Sequence, residues 1–237
     1  ESNDHYVGVL GEFTRKEDVT DIPLELVESE QTSAVIVDDD VAISWGWDVA
    51  RFGSNDSVLV KRQGRMVTGI QTWKQLDLMQ LTGAVVAEFE ACQPRQQPVQ
   101  INVDSIGVGG GVTDRLQELH LPAVGINTAE SPSSRSTYLN LRAELWFKLK
   151  AWLEARDCKL PKDDDLLAEL VAIKYKFTSS GKLQIESKDE MRKRNMASPD
   201  RADALCLTFA SDAATMIYGR EKNQSWTQPI RRNLQVV

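Results

Sequence analysis

VAISWGWDVARFGSNDSVLVKRQGRMVTGIQTW, residues 41–73, decides the fold class. Its first ten residues read as a strand ending at Asp48. The stretch SVLVKRQGRMVTGIQTW (57–73) reads as two more strands joined by a turn at Gln63–Gly64. Strands linked this tightly pair as antiparallel neighbours.

Downstream the periodicity changes. From Gln75 to Cys92, Met79, Val85, Val86 and Phe89 fall at helical spacing, and Pro94 and Pro98 end the run. Val99–Val103 alternates as a strand and stops at Asp104. A glycine cluster (Gly107, Gly109, Gly110, Gly111), a helix to His120 and a short strand at Ala123–Ile126 follow. Thr128–Thr137, TAESPSSRST, reads as a mobile surface loop. Tyr138–Arg156 is amphipathic, with Tyr138, Leu141, Leu145, Trp146, Leu149, Trp152 and Leu153 on one face. That spacing predicts core packing, not base stacking. Leu166–Val171 continues helically, and Ile173–Phe177 and Leu183–Ile185 flank a hairpin turn at Ser179–Lys182. Ser198-Pro199 is expected to open a last helix running to about Tyr218, with Ser as N-cap and Pro in the first helical position.

The element order predicts an α/β domain over residues 41–218: three antiparallel strands plus parallel strands in one mixed sheet, flanked by helices. Residues 219–237 read as a polar C-terminal tail. Residues 1–40 are polar and acidic and read as a linker or appended arm, not a core element. The missing initiator Met suggests a fragment of a longer protein.

With 237 residues and 41% hydrophobic content, the chain is expected to form one large domain or one with an appendage. No run approaches the length of a membrane span, and the start lacks the basic and apolar regions of a signal peptide. Cys92, Cys158 and Cys206 are widely spaced, without a CxxC pair, which argues against a disulfide framework or structural zinc. His5 and His120 are the only histidines, so any hydrolytic chemistry must lean on carboxylates. A net charge of −7 speaks against an unspecific nucleic-acid binder but not against a nuclease with an acidic site.

Three acidic positions stand out. Asp48 and Asp104 end strands, and Asp200 lies in the first turn of the last helix. Neighbouring strand ends and a helix start can bring such carboxylates together as an all-oxygen site for Mg²⁺ or Mn²⁺. Two such ions suffice for phosphodiester hydrolysis without histidine. Asp203, three residues after Asp200, shares its helix face. Each Asp taken alone is also what a turn or a helix start commonly uses. The glycine cluster fails the GxGxxG pattern at Val112, and no GxxxxGK[ST] loop is present. Lys188, Arg192, Lys193 and Arg194 form the densest basic patch, suited either to solvent or to a DNA backbone. Arg135 and Arg201 are weaker candidates.

Three stretches together resemble the nuclease domain of tailed-phage terminase large subunits: GWDVARFGSNDSVLV (46–60), INVDSIGVGGGVTDRL (101–116) and IESKDEMRKRNMASPDRADAL (185–205). The resemblance implies a ribonuclease H-like fold and metal-dependent endonucleolytic cleavage of double-stranded concatemeric viral DNA during packaging. It carries the metal-binding and catalytic roles to Asp48, Asp104 and Asp200, with Asp203 supporting. Asp48 would be shared between two ions, Asp104 would hold one and Asp200 the other. Lys188, Arg192, Lys193 and Arg194 would position the DNA, with little sequence preference. The implied cofactor is Mg²⁺ or Mn²⁺, two ions. The implied partners are the terminase small subunit, the portal protein and an N-terminal ATPase domain to which residues 1–40 would lead, with no membrane, in the host bacterial cytoplasm. Many members have a His before paired acidic residues in the third stretch; here Ser198-Pro199-Asp200 stands instead, which leaves Asp200 and Asp203 both open as third ligand. A junction resolvase or transposase-like nuclease on the same fold, or a portal-docking module without catalysis, are the competing readings.

Overall fold

The computed structural model of the chain describes residues 19–20, 22–50 and 56–211. Its centre is a five-stranded sheet in the order β4-β3-β2-β5-β6, made of β2 (Ile43–Asp48), β3 (Ser57–Gln63), β4 (Met66–Trp73), β5 (Gln100–Asp104) and β6 (Ala123–Ile126). As the sequence leads one to expect, β2, β3 and β4 are antiparallel neighbours, turning at Gly64–Arg65. β5 lies parallel to β2 and β6 parallel to β5. A second, three-stranded sheet joins β1 (Val19–Thr20) to the hairpin β7 (Lys174–Phe177) and β8 (Leu183–Ile185).

Every residue of β2 is buried, because helices cover both faces of the sheet. Side chains alternate across a strand. Ile43, Trp45 and Trp47 therefore join one apolar cluster with Leu59, Ile101 and Val103, beneath α2 (Leu78–Glu90) and α3 (Gly109–Glu118). Val58 and Val60 face the opposite cluster, filled by α1 (Leu24–Thr32), α4 (Leu141–Glu154), α5 (Asp164–Ala172) and α7 (Asp200–Leu207). The apolar face expected for the 138–156 helix is core: Leu145, Trp146, Leu149 and Leu153 are fully buried.

Helix starts follow capping chemistry. Asp77 and Gln80 form a reciprocal capping box on α2, and Ser187 and Glu190 do so on α6 (Lys188–Lys193). Asn140 and Asp163 cap α4 and α5.

The structure corrects three expectations. Within residues 1–40, the segment from Ile22 to Thr32 is a core element: Ile22, Leu26 and Val27 are buried in the larger cluster, and Glu30 accepts from the Cys158 backbone N–H. Short apolar patches in an acidic segment hid this, because about three to four apolar residues per two turns suffice to bury one helix stripe. At the last helix Pro199, not Ser198, is the cap, and Asp200 is the first helical residue. The loop 128–137 is tied down: buried Glu144 accepts from both the backbone N–H and the hydroxyl of Ser133 at 2.6 Å. The helix expected beyond Ser211, the tail 219–237 and the first 18 residues lie outside the described residues. Among the described residues no helix is long and apolar enough to cross a membrane.

Candidate active site

Trp47 pairs with Val103 in the parallel ladder of β2 and β5. Asp48 and Asp104 are the next residues of these two strands, so both sit at the same edge of the sheet. Alternation turns the Asp48 side chain away from the Trp47 cluster, toward the face on which α7 packs. α7 approaches β2 closely enough that a Cβ on Gly46 would stand 2.0 Å from the Ala204 carbonyl oxygen. Only glycine permits that contact, and the contact brings the start of α7, with Asp200 and Asp203, to Asp48.

The Lys188 ammonium, from the first turn of α6, lies where these carboxylates converge. It is 3.0 Å from Asp48 Oδ2, 3.2 Å from Asp200 Oδ1 and 3.4 Å from Asp203 Oδ2. Asp200 also accepts from the Asp56 backbone N–H at 3.1 Å and from the Ser198 hydroxyl. Asp203 is fixed from behind. Arg142 Nη2 stands 3.0 Å from its Oδ1, and Trp146 Nε1 donates to the same oxygen at 2.9 Å. Asp104 Oδ1 accepts from the Ile106 backbone N–H, the first donor of the glycine loop. That loop serves packing: a Cβ on Gly109 would lie 1.7 Å from the Asp104 carbonyl oxygen, so glycine lets α3 start against the end of β5.

Burial, with Asp203, Asp200 and Asp104 adding negative charge, pushes the Asp48 carboxyl up to about 7 despite the opposing pull of Lys188. Burial also raises Asp104, partly offset by the Ile106 N–H. Burial would raise Asp203 as well, but Arg142, Lys188 and Trp146 together hold it below the usual carboxylate range. Lys188 is raised, since its three carboxylate neighbours outweigh its own desolvation. Four carboxylates therefore stand against two cations, an excess of negative charge that adds to burial in raising the Asp48 carboxyl.

The basic patch is divided by the fold. Lys188 points into the carboxylates. Arg194 is ion-paired with Glu186 at 2.7 Å and donates to the Ala172 carbonyl. Arg192 and Lys193 are exposed, with Arg192 paired to Asp189. Arg201 is held by Asp163 and Asp165. A cavity of about 510 Å³ opens beside Asp200, lined among others by Lys74, Glu169, Arg192, Ser198 and Arg201. Sequence reasoning missed Arg142, Trp146 and Glu169. The first two belong to a helix whose pattern signals core alone, and only the docking of α7 on α4 turns their polar atoms toward Asp203.

No family model and no curated protein sequence matches the chain. Its architecture is shared with solved structures. It matches the nuclease domain of the large terminase subunit of bacterial virus Sf6 with a TM-score of 0.65 and 21% identity, covering 80% of this chain and 98% of that one. It matches the large terminase nuclease from thermophilic phage G20c with a TM-score of 0.56 and 15% identity, covering 72% of this chain and 82% of that one. The Thermus phage P74-26 large terminase nuclease domain aligns with a TM-score of 0.52 and 14% identity over 71% of this chain and 78% of that one. The chain has the fold of a large terminase nuclease domain. In this ribonuclease H-like fold the mixed sheet expected from residues 41–126 is present strand for strand. Structures of the Sf6 domain contain manganese or calcium, and those of the G20c domain magnesium or cobalt.

The site can be tested against such a cation by its donors. Among the described residues no three His, Cys, Asp or Glu side chains form a ready cation-binding group, and Lys188 faces the carboxylates. The donor set itself is all oxygen and negatively charged, which fits a hard divalent cation and not zinc. The elevated Asp48 marks a place where a further positive charge would be stabilising.

Proposed function

We propose that this chain is the nuclease part of a phage DNA-packaging terminase large subunit. It is a metal-dependent endodeoxyribonuclease that hydrolyses double-stranded concatemeric DNA with little sequence preference. The observation that carries this reading is the convergence of Asp48, Asp104, Asp200 and Asp203 at one sheet edge of a fold whose solved relatives are terminase nucleases. Packaging would bring in the small subunit, the portal protein and an ATPase domain of the same polypeptide as partners, in the host bacterial cytoplasm.

Asp48, Asp104 and Asp200 would hold Mg²⁺ or Mn²⁺, two ions in this reading. When bound, such ions activate water and stabilise the departing oxygen in phosphodiester hydrolysis. The chain's own residues do the rest. Asp48 sits central to the cluster and would meet a cation as an ionised carboxylate. Asp203 has Arg142 and Trp146 behind it and holds the α7 side of the site in place instead of binding directly. Lys188 balances the carboxylates and keeps the buried cluster compatible with folding. Arg192, which lines the cavity next to Asp200, and the exposed Lys193 meet the DNA phosphates.

A plasmid-cleavage assay tests the reading. The purified chain is expected to convert supercoiled DNA to nicked and linear forms with Mg²⁺ or Mn²⁺ but not with EDTA. Asp48→Ala and Asp104→Ala should each lose at least about a hundredfold in rate, as expected for groups that place the catalytic charge. Full activity in either variant would remove that residue from the site. Inactivity of the parent chain with both metals would count against catalysis and for docking.

A further inference from the structure

α7 carries two of the four site carboxylates, yet it has no cap of its own. Pro199 precedes it and offers no side-chain hydrogen bond, so the N–H groups of its first turn lack local acceptors. The neighbouring helix supplies what is missing. Glu169 Oε2, from α5, accepts the Ala202 backbone N–H at 2.8 Å. Asp163 and Asp165, from the start of the same helix, hold the Arg201 guanidinium at 3.3 and 2.9 Å. Arg201 and Ala202 are the two residues between Asp200 and Asp203. The stretch linking the two carboxylates is therefore gripped by α5 through both side chain and backbone.

We propose that Glu169 is a positioning residue: it caps α7 from outside and fixes the orientation of Asp200 and Asp203 toward a divalent cation. The inference rests on the nuclease reading of that site and adds a residue outside the carboxylate cluster to its machinery. Burial pushes the Glu169 carboxyl up to about 8, so its hold on α7 is the hydrogen bond to the Ala202 N–H and not a charge set against the macrodipole. It is also specific. Glu169, half-buried, lines the cavity beside Asp200 and gives one oxygen to a single backbone donor.

The test compares the full chain with E169A and E169Q. Three readouts are taken: hydrogen exchange at residues 200–203, Mn²⁺ binding by calorimetry without DNA, and the Mn²⁺ dependence of plasmid cleavage. E169A is expected to exchange faster at Ala202 and to bind Mn²⁺ about tenfold more weakly, the loss typical when a group supporting metal ligands is removed. E169Q keeps a side-chain carbonyl for the Ala202 N–H and should recover most of both. Faster exchange in E169A with an unchanged Mn²⁺ titration would make Glu169 merely structural and overturn the proposal. E169Q as impaired as E169A would overturn it too, by showing that charge and not position matters. A parent chain that neither binds Mn²⁺ nor cuts DNA would overturn the nuclease reading itself, and with it the metal-directed role. The exchange comparison would then still show whether Glu169 holds the helix, which separates the two failures.

Discussion

At the scale of a residue, Asp48 carries a pH signature at the centre of the carboxylate cluster. Its carboxyl is raised from the ordinary 3.8 to about 7, first by burial and then by three neighbouring carboxylates. In the metal-free chain the folded state therefore holds a proton that the unfolded state has already released. Asp48 contributes stability that is present in full below the ordinary carboxylate value and is lost as pH rises through about 7. The slope is at most about 1.4 kcal/mol per pH unit for one proton. Cation binding needs the ionised carboxylate, so the sign reverses for metal affinity. Between about pH 5.5 and 7, Mn²⁺ affinity measured by calorimetry should rise by up to about tenfold per unit, then flatten. Asp48→Asn should reduce the metal-free stability slope to the part left by Asp104 and Glu169, whose carboxyls burial also raises. A parent chain whose Mn²⁺ affinity is flat over this range would refute the assignment of the raised group.

At the scale of an element, the approach of α7 to β2 decides whether a site exists. Gly46 lies mid-strand, and its missing side chain lets the Ala204 carbonyl, the Leu207 Cβ and the Thr208 N–H side of α7 rest on the sheet. The opposing atoms are largely backbone and cannot rotate aside. Gly46→Ala should push α7 outward, costing about 3 kcal/mol, the upper part of the range for overpacking. It should also depress cleavage in the fraction that remains folded. Thermal unfolding and cleavage assays together check this; an alanine variant with parental stability and activity would mean that α7 can shift without consequence. The far end of α7 is held as well: buried Arg62 donates from Nε and Nη2 to the Thr208 hydroxyl and carbonyl, both at 2.7 Å. Burial lowers its guanidinium to about 10, still charged at neutral pH.

At the scale of the whole molecule, the folding unit begins before the strands. Ile22, Leu26 and Val27 are essentially buried against the α4–α5 side of the core. Burying each such side chain contributes about 1.5–3 kcal/mol. Most domains have a net stability of only about 5–15 kcal/mol. A chain starting at Val41 is therefore expected to be unfolded or strongly destabilised by circular dichroism and thermal melting. Undiminished cooperative unfolding of such a chain would show that α1 is dispensable.

The sequence by itself determined the strands of the mixed sheet and their order along the chain. Period-two runs, tight turns and glycine and proline breaks are local signals, and residues 41–126 carry them densely, so β2 to β6 are legible with their ends at Asp48 and Asp104. The tailed-phage resemblance likewise rested on contiguous stretches. Only the tertiary structure decided the surroundings of these carboxylates. Lys188 looks like part of a basic surface run, yet α6 turns it onto Asp48. Arg142 and Trp146 look like a helix pattern, yet they lock Asp203. Ile22–Thr32 looks like an acidic arm, yet one stripe of it fills the core. In each case the deciding contact joins residues far apart along the chain. Its existence depends on where whole helices dock, which the local spacing of residues does not encode.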